Sequence, residues 1–422
     1  MACFMIVIAV AFFFASSTTG VRGNSAVVQA GDNAEQFSLL CRIYNVAKNP
    51  PINYVDVQDP YEIVEEIDSI NISVAEEKQF NETEPVDNSS VAQVKPITTR
   101  EAAVAQATIR RITQKAHTIL DEIRKVNATR DIEKVNDEFA QVIFGEGMNE
   151  SHLCDGALKD VAERGSACGS PGLSSKGKSA GKNLVMDFFC LCAMRIDNNK
   201  EGIHDACGMQ VGSSSRNGKH GWDTACPATS STMWASVKKE CGKRLQHYPK
   251  STEEGHEVLR DFLKHLETGG FYRWSESNNN HISSDLKAGM LGTGVGAKEN
   301  KGSDLICDGS RGKSGKTPAG ICVYYGPSDW DKNIPWLVKF KAATASVESI
   351  NNQTATIQRD IENLQTLLHR AEEIYETTKV ISEVHNPATQ ANFHTASKRL
   401  TAYSAAWRQH PYAHLILLFV LL

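Results

Sequence analysis

From Trp336 onward, apolar positions recur at Phe340, Ala343, Val347, Ile350, Ile357, Ile361, Leu364, Leu368, Ala371 and Tyr375, in alternating steps of four and three. Only Thr354 interrupts the seam. A repeat this long outlasts an ordinary globular helix and reads as a coiled-coil strand. Pro335 suits a first turn and Pro387 bars continuation, so the helix is predicted from about Ile334 to about Val384. An earlier stretch repeats the device at Ala102, Ala105, Ile109, Ile112, Ala116, Ile119, Ile123 and Val126. Its register shifts near residues 127–130 and resumes at Ile132, Val135, Phe139 and Val142, until Gly145 and Gly147 end it. Pro96 and the pair Thr98 and Thr99 mark its start, giving one predicted helix over about 99–143. Neither seam can remain in water, and two matched seams in one chain pack most simply antiparallel. A further apolar edge lets a second copy join. The expected fold is therefore mainly α, an elongated antiparallel two-helix coiled-coil hairpin with a disulfide-stapled irregular head, in a dimeric helical bundle.

Composition changes between the two seams. Over residues 146–330 Gly, Ser, Lys and Asn become frequent, and nine cysteines appear: Cys154, Cys168, Cys190, Cys192, Cys207, Cys226, Cys241, Cys307 and Cys322. Nine is odd, so if all pair within the chain, at least one bond must reach Cys41. That bond would pin the amphipathic stretch from Glu35 to Ala47 against the insertion. The pairing itself stays open, since ten cysteines allow on the order of a thousand connectivities.

Both ends carry processing signals. Phe4 to Ala15 is an almost unbroken apolar run followed by small polar residues, which reads as a secretory signal peptide cleaved before Asn24, with the bond after Gly20 as second candidate, although no Lys or Arg precedes the run. At the other end, His414 to Leu422 is a terminal apolar run behind a polar spacer and the small cluster Ser404, Ala405 and Ala406. As a helix it would cover about 14 Å, less than half of the roughly 30 Å hydrocarbon core of a bilayer. It reads as a glycosylphosphatidylinositol (GPI) anchor signal, with Ser404 as the preferred attachment residue ahead of Ala405, and 405–422 removed. Residues 386–404 then form a short stalk. Six N-glycosylation sequons, at Asn71, Asn81, Asn88, Asn127, Asn149 and Asn352, fit a secreted chain. Cys3 leaves with the signal, and the ten remaining cysteines, in an oxidising compartment, give five disulfides by default. Since the second helix ends near the anchor, the insertion is expected to emerge at the end farthest from the membrane.

Chemical motifs are present only as imitations. A net charge of −5 on 422 residues argues against a nucleic-acid partner. Gly292-Thr293-Gly294-Val295-Gly296-Ala297 meets the loose dinucleotide fingerprint, but no apolar strand precedes it and no helix pattern follows. Gly309 to Thr317 resembles a P-loop, yet five residues separate Gly309 from Gly315 where four are needed. It reads as a surface loop between Cys307 and Cys322 that a disulfide could close. Gly177-Lys178-Ser179-Ala180-Gly181 matches the nucleophile-elbow string, but its Ser, Lys and Gly neighbours read as a mobile, solvated loop. Cys190-Leu191-Cys192 reads as the origin of two disulfides rather than a zinc site, because no C-x-x-C pair accompanies it. Trp222, Trp234, Trp274, Trp330 and Trp336 read as core or interface anchors. No catalytic, cofactor-binding or metal-ligating residue is expected.

Four strings, in order, carry a likeness to a known family: Phe37-Ser38-Leu39-Leu40-Cys41, Asp187-Phe188-Phe189-Cys190-Leu191-Cys192, Ile334-Pro335-Trp336-Leu337, and the terminal anchor signal. Together with the two heptad helices, they resemble the variant surface glycoproteins that coat African trypanosomes, and the cysteine pattern is more similar to the B type of N-terminal domain than to the A type. The likeness covers essentially the whole mature chain, with residues 24–385 as its N-terminal domain. Unlike many relatives, the chain has no cysteine after Cys322, which resembles the subset lacking a cysteine-rich C-terminal domain. The resemblance implies a homodimer on the outer leaflet of the plasma membrane, whose dense packing shields other surface proteins and whose variable loops meet host antibodies. It implies no enzyme activity, no small-molecule substrate, and no cofactor beyond the covalent lipid and N-glycans. Nutrient-uptake receptors such as the trypanosome transferrin receptor share the expected fold and anchor, so a GPI-anchored receptor is the alternative function.

Overall fold

A computed structural model describes residues 26–80, 100–159, 161, 163–196, 201–213, 220–222, 226, 229–245, 247–276, 281–299 and 302–385. The helices run α1 (Ala34–Lys48), α2 (Asp59–Phe80), α3 (Arg100–Ala128), α4 (Ile132–Phe144), α5 (Arg164–Cys168) and α6 (Leu184–Cys192). They continue as α7 (Ser230–Lys243), α8 (Thr252–Thr268), α9 (Trp330–Asn333) and α10 (Pro335–His385). The strands are β1 (Gly169–Ser170), β2 (Ser175–Lys176), β3 (Gly270–Ser275), β4 (Ile282–Lys287), β5 (Met290–Val295) and β6 (Ala319–Tyr324). The described chain divides into two units, residues 26–52 with 132–349, and residues 53–131 with 350–385.

The smaller unit is built from three helical segments rather than two. Ile63, Ile67, Ile70 and Val74 of α2 are buried with Ile109, Ile112, Ala116, Ile119 and Ile123 of α3, and with Ile357, Ile361, Leu364 and Ala371 of α10. The α2 residues recur at steps of four, three and four, so they line one helix face and cover the seam that α3 and α10 present. Tyr61 meets Arg124 and Asp68 meets His117, so α2 and α3 run in opposite directions. Thr354, the polar break in the seam of α10, is wholly buried, and its hydroxyl donates to Ile350 O at 2.9 Å or to Asn53 O at 3.2 Å. A hydroxyl there finds local acceptors, so the interruption does not open the helix.

The earlier seam is two helices, α3 and α4, not the single one expected over about 99–143. The chain leaves the helix where Thr129 N and Arg130 N bond three residues back, to Val126 O and Asn127 O. Thr129 Oγ1 also reaches Val126 O at 2.7 Å, and Arg130 donates to Asn127 Oδ1 and Asn53 O. These bonds close the last turn and satisfy carbonyls that a continuing helix would have used.

The larger unit carries all five disulfides: Cys41–Cys241, Cys154–Cys226, Cys168–Cys190, Cys192–Cys207 and Cys307–Cys322. The expected irregular insertion has regular structure, with α7, α8 and a four-stranded sheet in the order β4-β3-β5-β6. Strands β3 and β5 are parallel, and the other pairs are antiparallel. Every residue of β5 is buried, and so are all but the first of β6. Strands covered on both faces show no alternation of apolar and polar residues. The turn from β4 to β5 must pass the start of β3, and glycine makes that crossing possible. A Cβ on Gly269 would stand 2.2 Å from Lys287 O, and one on Gly289 would stand 1.9 Å from Gly326 O, both at positive φ. Aromatic rings from distant segments fill the interior, as where Phe188 meets Phe37 and Trp234 at centroid distances of 5.6 and 5.9 Å.

Candidate functional site

Charge, disulfides and packing converge on the short helix α6, Leu-Val-Met-Asp-Phe-Phe-Cys-Leu-Cys, whose nine residues are all buried. Asn183 caps it, accepting from Met186 N at 2.8 Å while its own amide donates to Ala157 O at 2.8 Å. Asp187 sits in the first turn with no solvent exposure. Gly181 N donates to its Oδ1 at 2.8 Å, and Tyr325 OH and Trp336 Nε1 donate to its Oδ2 at 2.8 and 2.7 Å. One carboxylate thus ties the approach to α6, the end of β6 and the first turn of α10.

Burial pushes the Asp187 pKa from the ordinary 3.8 up to about 6, because an ion loses its hydration there. The three donors and the nearby Lys176 pull it down without overcoming that effect. Tyr325 is pushed well above its usual value by burial and by the adjacent carboxylate.

The other end of α6 is met by a buried cation. The Arg164 guanidinium donates to Ala193 O at 2.7 Å, Cys190 O at 3.1 Å, and Phe189 O and Trp222 O at 3.3 Å. It also stands 5.0 Å from the centroid of the Trp222 ring. Helix N-termini favour negative charge and C-termini favour positive charge, so Asp187 and Arg164 both complement the dipole of α6. Cys168–Cys190 and Cys192–Cys207 then bind the same helix to its neighbours covalently. Packing, charge and covalent bonds all serve to fix α6, and the Asp187 carboxylate, enclosed by its donors, acts as a clasp rather than a reagent.

The motif imitations have structural explanations. Gly292 to Val295 lies within β5, so the fingerprint string is itself a strand and not a turn between strand and helix. Contrary to expectation, the string from Gly177 to Gly181 is not a solvated loop: Gly177, Ser179, Ala180 and Gly181 are buried, and Lys178 alone is exposed. Ser179 N donates to Ala167 O, and a Cβ on Gly177 would stand 2.3 Å from that same oxygen, so close backbone packing selects this composition. In the P-loop-like string, Gly309 and Ser310 are buried while Lys313 and Gly315 to Thr317 are exposed. Trp222, Trp234 and Trp336 are buried, and Trp274 and Trp330 partly so. Among the described residues, no group of three or more His, Cys, Asp or Glu side chains is placed to hold a metal ion. No described helix is long and apolar enough to cross a membrane.

The sequon asparagines are scattered. Asn149 is exposed at the start of a single 3-10 turn, and Asn352 is exposed on α10. Asn71 on α2 and Asn127 at the end of α3 are half-buried. Asn81, Asn88, Ser404 and the two terminal apolar runs lie outside the described residues. Asp187 and Arg164 were not singled out from sequence. For Asp187 the signal was present, a lone carboxylate inside an otherwise apolar nine-residue helix. Arg164 sits beside no comparable pattern.

Comparison with known proteins adds two findings. A family model described as a trypanosomal VSG domain, in its B form, matches residues 13–99 and 82–366. "Variant surface glycoprotein YnAT 1.3" of Trypanosoma congolense is 26% identical over 214 residues, a stretch covering 50% of this chain and 45% of that protein. The chain therefore spans about half the length of that relative.

Proposed function

Because the chain belongs to the trypanosomal VSG domain family, we propose that it is a GPI-anchored coat glycoprotein, packed densely over the cell surface and exchanged by antigenic variation to evade host antibodies. The observation that carries this reading is the family match, whose span includes residues of both structural units. The fold fits a structural role, since the buried Asp187 carboxylate is closed off by three donors and the dinucleotide-like and elbow-like strings lie in packed backbone.

In this reading residues 1–23 are the signal peptide, 24–385 the VSG-like domain, 386–404 a short stalk, and 405–422 the discarded anchor signal with Ser404 carrying the lipid. The lipid holds the chain without a spanning helix, as each buried methylene contributes about 0.8 kcal/mol. The long helices form a hairpin that pairs with a second copy. Exposed apolar side chains on the three helices of the smaller unit, Ile72, Val104 and Val380, offer surface for that pairing. Glycans at the six sequons fill gaps in the layer.

Phosphatidylinositol-specific phospholipase C applied to intact cells tests the attachment. The wild-type chain is released, and a chain with Leu417→Asp and Leu418→Asp never reaches the anchored state. Continued release of that variant defeats the anchor reading. Recovery of a stoichiometric serum protein from the released chain would favour the receptor function over the coat.

A further inference from the structure

The five disulfides are not equally protected. Cys41, Cys168, Cys190, Cys192, Cys207, Cys241, Cys307 and Cys322 each have no solvent exposure, so four of the five bonds are sealed in the core. Both members of the remaining bond, Cys154 and Cys226, are only half-buried. Disulfide exchange requires an attacking thiolate to approach one sulfur in line with the bond, so access decides which bond opens in the folded state.

The surroundings of Cys154 favour its departure. Cys154 Sγ lies 3.6 Å from the hydroxyl of Ser230, the first residue of the 14-residue helix α7. A hydroxyl donor and a helix N-terminus both stabilise a thiolate and lower its pKa. The sulfur with the lower pKa leaves faster.

We propose that Cys154–Cys226 is a thiol-exchange site, at which a low-molecular-weight thiol attaches to Cys226 and Cys154 departs as the thiolate. In the step, the incoming thiolate attacks Cys226 Sγ, forming a new S–S bond. The Cys154–Cys226 bond breaks, and its electron pair stays on Cys154 beside Ser230. No oxidant is consumed, and a second thiol can later displace Cys226 as the symmetric disulfide forms. Opening releases a closure between residues 72 apart in sequence. The ion pair between Lys238 of α7 and Glu150 continues to hold that helix to the turn Glu150–His152, and the four sealed bonds hold the rest. Exchange thus alters one surface region of a unit that stays folded.

The test treats the native full-length protein with reduced glutathione at pH 7.5, quenches with iodoacetamide, and maps peptides by mass spectrometry without further reduction. Glutathione should appear on Cys226 and the alkyl group on Cys154, on the order of ten-fold faster than any label on the other eight cysteines, with tryptophan fluorescence unchanged. Ser230→Ala should slow the exchange several-fold while leaving that order intact. Earlier opening of any other bond, or simultaneous opening of all five, overturns the proposal. Glutathione on Cys154 instead of Cys226, or an unchanged rate in Ser230→Ala, overturns the assigned direction. The double variant Cys154→Ser with Cys226→Ser should show no fast-labelling cysteine, and a fast pair that persists also overturns the proposal.

Discussion

Replacing Asp187 with asparagine removes the buried charge while keeping the shape of the clasp. At about 1.4 kcal/mol per pH unit, lifting a carboxyl pKa from 3.8 to about 6 corresponds to about 3 kcal/mol held against the ionised folded state. The asparagine recovers that penalty at neutral pH. Its single oxygen can serve Tyr325 and Trp336, but its NH2 group then faces Gly181 N, leaving one buried donor unpaired at a cost of about 1–3 kcal/mol. Wild type and Asp187→Asn should therefore have similar stability at pH 7.5. The sign of the pH dependence follows from the raised pKa. The folded form takes up the proton before the unfolded chain does, so wild-type stability from this group rises as pH falls through 6 toward 3.8. Between pH 7.5 and 4.5 the gain is about 2 kcal/mol, and the variant lacks it. Urea titrations of both proteins at several pH values across that range, followed by tryptophan fluorescence, measure the difference directly. A gap that stays constant with pH, or that closes as pH falls, refutes the reasoning about Asp187.

Substitutions at three further positions test other parts of the larger unit. Arg164→Met strips four backbone carbonyls of their buried donor and should lower unfolding free energy by about 3–5 kcal/mol in urea titration; Arg164→Lys should recover less than half, since one ammonium cannot span the fork. Gly289→Ala forces a methyl group against Gly326 O at a positive φ and should cost about 2–4 kcal/mol, seen as a lower Tm in calorimetry. Gln36 is buried with neither amide atom hydrogen-bonded to the protein, so Gln36→Leu should raise stability by about 1–2 kcal/mol, and a loss would show that the amide has a partner.

The residues differ in how openly they announce their places. The seam from Trp336 to Tyr375 was legible because a 51-residue helix repeats its pattern many times, so one polar residue, Thr354, could not obscure it. The break between α3 and α4 showed only as a shift of register, because Thr129 and Arg130 end the helix through local hydrogen bonds that periodicity does not register. Helix α2 was missed although Ile63, Ile67, Ile70 and Val74 carry the spacing; its pattern is short and overlaps the first sequon. The sheet left no trace because β5 and β6 are buried on both faces, which erases the two-residue period, and the two glycines of β5 suggest a loop instead. At the centre of the site, Asp187 lies within one of the family strings, but its role depends on Gly181, Tyr325 and Trp336. Those partners are brought together only by the fold, and sequence spacing cannot supply them.

Abundance separates a coat from every other role that this fold could serve. Quantitative mass spectrometry of biotinylated surface protein from cells expressing this chain gives its copy number against all other surface proteins. As a coat glycoprotein it should form the bulk of that material and bring down no host serum protein in stoichiometric amount. A scarce chain that co-purifies with a serum protein would contradict the coat function and identify a receptor.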